Sequence, residues 1–135
     1  MKPLLPDTNV LVYETVEDSP NHEKASELFD SARSIILPSI VLHEYLWVMI
    51  KRLQVPLDFM IGKIDEYFSD RRIRYVAEPP DAVLDSLELL KTGSVRNLND
   101  YLILSTAVRY DAVLATFDRE LVRMAENLGV EVVPR

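Results

Sequence analysis

Short unbroken apolar runs alternate along this chain with longer stretches in which apolar residues recur every three or four positions. The first pattern predicts buried strands and the second predicts amphipathic helices. A strand over Lys2–Pro6 runs into Asp7-Thr8-Asn9, and a helix follows over Val10–Val16. Ser19-Pro20-Asn21 opens a second helix, with Ala25, Leu28, Phe29 and Ala32 at helical spacing. Ser34–Leu37 is a short strand stopped by Pro38, and Ser39 is placed as the N-cap of a strongly apolar helix reaching Leu53. Pro56-Leu57-Asp58 starts a helix to about Asp70, and Arg74–Ala77 forms a strand that Pro79-Pro80 breaks. In the next helix, Asp81–Lys91, Val83, Leu87 and Leu90 share one face while Asp81, Asp85 and Glu88 share another. Asn99 caps a helix from Asp100 to about Tyr110, and Ala112–Ala115 is a strand. Thr116-Phe117-Asp118 turns into a helix carrying Leu121, Ala125 and Leu128, closed by Gly129 before a last strand over Val130–Val133. Strands this short and this apolar, separated by helices, predict a three-layer α/β domain whose parallel sheet is covered on both faces. With 135 residues the chain reads as one domain over 1–135.

Composition removes several chemistries. There is no cysteine, so disulfide frameworks, thiolate metal sites and cysteine nucleophiles are excluded. Three isolated glycines build neither a P-loop nor a dinucleotide fingerprint. His43-Glu44 lacks the second histidine of a metalloprotease helix, because Trp47 stands at that position. No G-x-S-x-G elbow exists for a serine hydrolase. Neither a leader sequence nor a membrane span is visible, and a cytoplasmic protein is expected.

Four acids remain. Asp7 directly follows the first strand and Asp118 closely follows the fourth, and sites in open parallel sheets form beyond the strands' carboxyl ends. Glu44 lies in the second turn of the helix after the second strand, and Asp100 opens its own helix. Ordinary roles compete: an Asx turn for Asp7, an N-cap for Asp118, a dipole-favoured position for Asp100. Glu44 interrupts the run Ile40–Ile50, so it needs an arginine, a hydrogen-bond cluster or a metal. Oxygen-only ligands suit Mg²⁺ or Mn²⁺, and such a site suits phosphodiester cleavage. The net charge of −7 runs against that substrate, since proteins that grip phosphates by charge alone carry a basic excess. The densest basic cluster is Arg71, Arg72 and Arg74, and Lys91 and Arg96 lie on the approach to Asp100; a solvated rim is their ordinary alternative.

The pieces together resemble a family. Leu5-Pro6-Asp7-Thr8-Asn9-Val10-Leu11-Val12 is similar to the first motif of PIN domains, an apolar strand running into Asp-Thr-Asn. Pro38-Ser39-Ile40-Val41-Leu42-His43-Glu44 resembles the segment that delivers the family's Glu. Asn99-Asp100-Tyr101-Leu102-Ile103-Leu104-Ser105-Thr106-Ala107 resembles the third motif, and Asp111-Ala112-Val113-Leu114-Ala115-Thr116-Phe117-Asp118 the fourth. Within the family the chain is most similar to VapC-type toxins. The resemblance implies a five-stranded parallel sheet in the order 3-2-1-4-5 and Mg²⁺/Mn²⁺-dependent cleavage of single-stranded or structured RNA. By resemblance Asp7, Glu44, Asp100 and Asp118 hold one or two metal ions, Thr116 orients the site, Asn9 supports it and Glu120 stands where some relatives carry a further acid. An antitoxin partner and a homodimer are implied as well, with Leu46, Trp47, Met49, Ile50, Phe59 and Met60 serving either such contacts or the core. A housekeeping RNA-processing nuclease and a catalytically silent assembly module are the alternatives.

Overall fold

The computed structural model describes residues 1–93 and 98–135. Five strands form one sheet: β1 (Leu4–Pro6), β2 (Ile35–Pro38), β3 (Ile73–Val76), β4 (Val113–Ala115) and β5 (Val132–Val133). Their order is β3-β2-β1-β4-β5, with every pairing parallel, as the resemblance implied. The seven α-helices between them among the described residues are α1 (Thr8–Thr15), α2 (His22–Ser31), α3 (Ser39–Trp47), α4 (Leu57–Ser69), α5 (Pro80–Leu90), α6 (Leu98–Arg109) and α7 (Arg119–Asn127). Strands this short are fully buried where they matter. Leu5, Ile35, Leu37 and Leu114 pack against Leu11, Val41, Tyr45, Ile103, Leu104 and Leu121 from the helices on either side. The chain lays down β1, β2 and β3 in one direction and returns to add β4 and β5 on the other side of β1. The sheet therefore has its topological switch between β1 and β4, whose pairing sets Leu5 against Leu114 and Pro6 against Ala115. No helix among the described residues is long and apolar enough to cross a membrane.

Local structure departs from the sequence expectation in three places. The helix after β2 begins at Ser39 itself, so Ser39 is not its N-cap. Glu78, beyond β3, takes that role: it accepts a hydrogen bond from the Ser39 hydroxyl at 2.7 Å and one from the Ile40 N–H at 3.1 Å. A distant carboxylate thus satisfies the helix's unpaired donors and complements its dipole. The same helix also stops being an α-helix at Trp47 and continues as a π-helical turn over Val48–Arg52. Finally, α5 buries its small residues and not its large ones. Ala82 and Ser86 face α6, where the Ser86 hydroxyl donates to Ala82 O and to Ser105 Oγ. Val83, Leu84 and Leu87 are left exposed, because close packing of the two helices leaves room only for short side chains.

Away from the sheet edge, α1 and α4 are joined by a nearly dry ion pair. Lys63 Nζ donates to Glu14 Oε1 at 3.0 Å, and the Tyr67 hydroxyl donates to Glu14 Oε2 at 2.9 Å. The Glu14 and Lys63 side chains are 13% and 15% exposed. Removing one member strands the other's charge. Glu14→Ala is expected to cost about 3 kcal/mol in urea unfolding, and Lys63→Met distinctly less, because Glu14 keeps its Tyr67 donor.

Candidate active site

Asp7 ends β1 and caps α1. Its Oδ1 accepts the Thr8 N–H at 2.7 Å, and its Oδ2 accepts the Thr116 hydroxyl at 2.9 Å. The Thr116 oxygen also accepts the Asp118 N–H at 3.0 Å, so one hydroxyl links the carboxyl end of β1 to the turn after β4. Backbone pairing supports this bridge, with Asp7 N–H on Ala115 O and Thr116 N–H on Val133 O. Asp118 is the N-cap of α7 and uses Oδ1 alone, accepting from Glu120 and Leu121 N–H. The capping role considered from sequence is therefore present, but it occupies one oxygen.

Glu44 reaches the same region from α3. The Thr8 hydroxyl donates to its Oε1 at 2.9 Å and the Asn99 amide donates to its Oε2 at 3.0 Å. Neither contact was anticipated. Thr8 was read only as part of a turn, and Asn99 as a cap; because α6 starts at Leu98, Asn99 sits in its first turn with its side chain turned to Glu44. The signal for both was present, since each adjoins a candidate acid. Asp100 lies in the same first turn, half-buried. Asn9 is exposed on α1, and Glu120 is exposed in the first turn of α7.

Electrostatics shows that the four acids share one field. Asp7, only 7% exposed, is pushed up to about 6, chiefly by burial. Its Thr116 and Thr8 hydrogen bonds oppose that rise, and the charges of Glu44 and Asp118 add to it. Asp100 is also pushed up to about 6, by burial first and then by Asp7, Asp118, Glu44 and Glu120. None of Asp7, Glu44, Asp100 or Asp118 takes part in an ion pair with a lysine or arginine among the described residues. No group of three or more His, Asp or Glu side chains among the described residues is drawn together ready to hold a metal ion. The donor set nevertheless fits a hard cation: oxygen only, mutually repulsive and without an ion-paired counter-charge among the described residues.

The described basic candidates make their contacts away from these acids. Arg72 precedes β3, at the amino edge of the sheet. Its guanidinium pairs with Asp70 at 2.8 Å and donates to the carbonyls of Phe29 and Ala32, closing the end of α2. Arg71 is exposed beside it, and Arg74 lies over the ring of Tyr110. Lys91 pairs with Glu88 on the surface, and Arg96 falls outside the described residues. Of the apolar candidates, Met49 and Met60 are buried, Leu46 and Ile50 are half-buried, and Trp47 and Phe59 are exposed.

The model of the PIN domain matches residues 4–127, and the chain belongs to that family. Solved structures agree on the fold. VapC20 of Mycobacterium tuberculosis, described as a toxin cleaving the sarcin-ricin loop, superposes with a TM-score of 0.74 at 15% identity, over 90% of this chain and 94% of that one. VapBC from Salmonella typhimurium, bound to DNA, gives 0.70 at 17% identity over 98% and 97%. VapBC2 from Rickettsia felis, bound to a promoter fragment, gives 0.68 at 24% identity over 96% of each chain. None of the functionally curated proteins matches the sequence.

The raised carboxyl groups make a stability prediction for the metal-free protein. A carboxyl whose value climbs from 3.8 to about 6 on folding holds its proton more tightly in the folded state. Its contribution is therefore lost as pH rises through that interval. Asp100→Asn, which removes the charge and no hydrogen bond among the described residues, is expected to stabilise the metal-free protein by about 1 kcal/mol at pH 8, solvent screening included. At pH 4 the gain should vanish. Thermal melts at the two pH values, with chelator present, check it.

Proposed function

We propose that this chain is a divalent-metal-dependent endoribonuclease acting on single-stranded or structured RNA, and the toxin of a type II toxin–antitoxin pair. The observation that carries the reading is that Asp7, Glu44, Asp100 and Asp118 act on one another electrostatically by the switch point of the sheet, none of them ion-paired with a cation among the described residues. These four carboxylates would hold the metal, with Glu120 extending the negative field. A bound Mg²⁺ or Mn²⁺ supplies Lewis-acid activation of water and stabilises charge on the phosphoryl oxygens. The chain's own contribution is orientation. Thr116 and the Thr8 N–H hold the two oxygens of Asp7, while the Thr8 hydroxyl and Asn99 hold those of Glu44. Asp7 and Glu44 are thereby fixed before substrate arrives, which avoids their reorganisation during the reaction.

The proteins of similar fold supply the biological setting. Two are VapBC assemblies and one is a toxin, which favours a cognate antitoxin as partner here. A cleft between α1, α2 and α4 suits part of such a partner: Glu17, Asp58 and Glu66 stand around exposed Phe59, and Lys63, which also lines the cleft, is already paired with Glu14, an arrangement that accepts a segment bearing basic and apolar side chains. The exposed face of α5, with Leu84 at 60% and Leu87 at 51%, suits a second copy of the chain.

Labelled single-stranded RNA incubated with Mn²⁺ should be cut internally, and chelator should stop the reaction. Asp100→Asn should slow it about 100-fold and Thr116→Val about 10-fold, through loss of a ligand and of its support respectively. Intact RNA, or an Asp100→Asn protein as fast as the parent, would refute the nuclease reading. For the dimer, sedimentation of a Leu84→Asp, Leu87→Asp protein should show a monomer where the parent shows two copies.

A further inference from the structure

The acidic site raises a problem of binding. Phosphate backbones are normally held by lysine and arginine, yet the protein carries a net charge of −7 and the densest basic cluster in its sequence sits at the opposite edge of the sheet. Affinity for a nucleic-acid strand must then draw on contacts that do not depend on charge.

The cleft beside Glu44 offers one. It has a volume of about 440 Å³ and is lined by His43, Glu44, Trp47, Val48, Arg52 and Asn99. That size falls within the range of about 300–1,000 Å³ usual for ligand sites. Trp47 follows Glu44 by three residues on α3, so the two side chains share a helix face. The indole is 58% exposed, although its place in an apolar run made it a core candidate. Helical spacing explains the difference: Val41, Leu42 and Tyr45 share the buried face of α3, and Trp47 falls on the opposite face with His43 and Glu44, where Arg52 of the following π-helical turn lines the same cleft. Arg52 is itself exposed and makes no ion pair among the described residues.

We propose that Trp47, with Arg52 and His43 at its rim, is a stacking platform for an unpaired nucleobase next to the bond that the carboxylates act on. This rests on the nuclease reading above and adds how the strand is held. Stacking uses the flat face common to all bases, so it tolerates sequence and leaves the acidic surroundings unopposed. It also requires an unpaired base, which favours a single strand or a loop over a duplex. Arg52 can meet one flanking phosphate without making the site basic overall.

Trp47 is the only tryptophan, so its emission reports the contact directly. Titrating the Asp100→Asn protein with oligoadenylate should quench that emission saturably. An abasic strand of equal length should bind about 10-fold more weakly and quench little. In the parent enzyme Trp47→Ala should raise KM for single-stranded RNA about 10-fold with kcat changed far less, and Trp47→Phe should restore most of the loss. The platform is overturned if labelled RNA binds by anisotropy while the emission stays constant, or if abasic and normal strands bind alike. A shift of Trp47 emission with protein concentration alone would overturn it too, assigning the face to a second copy. Cleavage that proceeds with a mute Trp47 removes the platform and spares the nuclease; RNA that neither binds nor is cut removes both.

Discussion

Like-charge repulsion at one edge of the sheet is the condition under which everything else in this protein is arranged. Asp7, Glu44, Asp100 and Asp118 come from four different elements, and no lysine or arginine among the described residues pairs with them. Left to themselves, such groups would separate or rotate into water. They are kept in place because their backbones belong to rigid units: β1 and β4 pair in fixed register, and α3 is pinned at its first turn by Glu78. Short hydrogen bonds from Thr8, Thr116 and Asn99 then fix the carboxyl oxygens. Packing supplies the energy that the charges oppose, and Leu5 and Leu114, paired across β1 and β4 and fully buried, belong to that core.

A site of this kind is poor at attracting a polyanion and good at positioning one that is already held. That separates two tasks commonly merged in nucleic-acid enzymes. The carboxylates suit a cation and, through it, a phosphoryl group, whereas recruitment falls to neutral or locally basic surface. The cleft at Trp47 is close enough to Glu44 to take the second task without diluting the first.

How much of this could be read from the sequence depended on whether a feature is local. A strand followed closely by an acid is a local pattern, so the places of Asp7 after β1 and Asp118 after β4 were legible from short windows, whereas the order of the sheet came only through the resemblance to PIN domains. Thr116 could be anticipated only through the resemblance to PIN domains, because its bond to Asp7 spans 109 positions. Thr8 and Asn99 were missed as supports of Glu44 for the same reason, at separations of 36 and 55. Glu78 gave no signal at all, since a cap is looked for beside the helix it serves. Trp47 was misplaced because it stands in a nearly unbroken apolar run, whereas its helical spacing sets it opposite the buried Val41, Leu42 and Tyr45. On α5 the pattern identified an apolar face but not which residues meet α6, because Ala82 and Ser86 carry little hydrophobic weight yet decide how closely two helices approach.

The double duty of Asp118 has a consequence for how such a protein can change over generations. Its side chain both caps α7 and belongs to the charged cluster, whereas Asp100 bears no hydrogen bond among the described residues. A lineage that no longer needs the chemistry can therefore neutralise position 100 and gain a more robust fold in the same step. Replacing Asp118 with a residue that has no acceptor in that place loosens a helix start as it removes the charge. Descendants that keep the scaffold for another use should be found to have shed these acids unevenly, the unsupported one first.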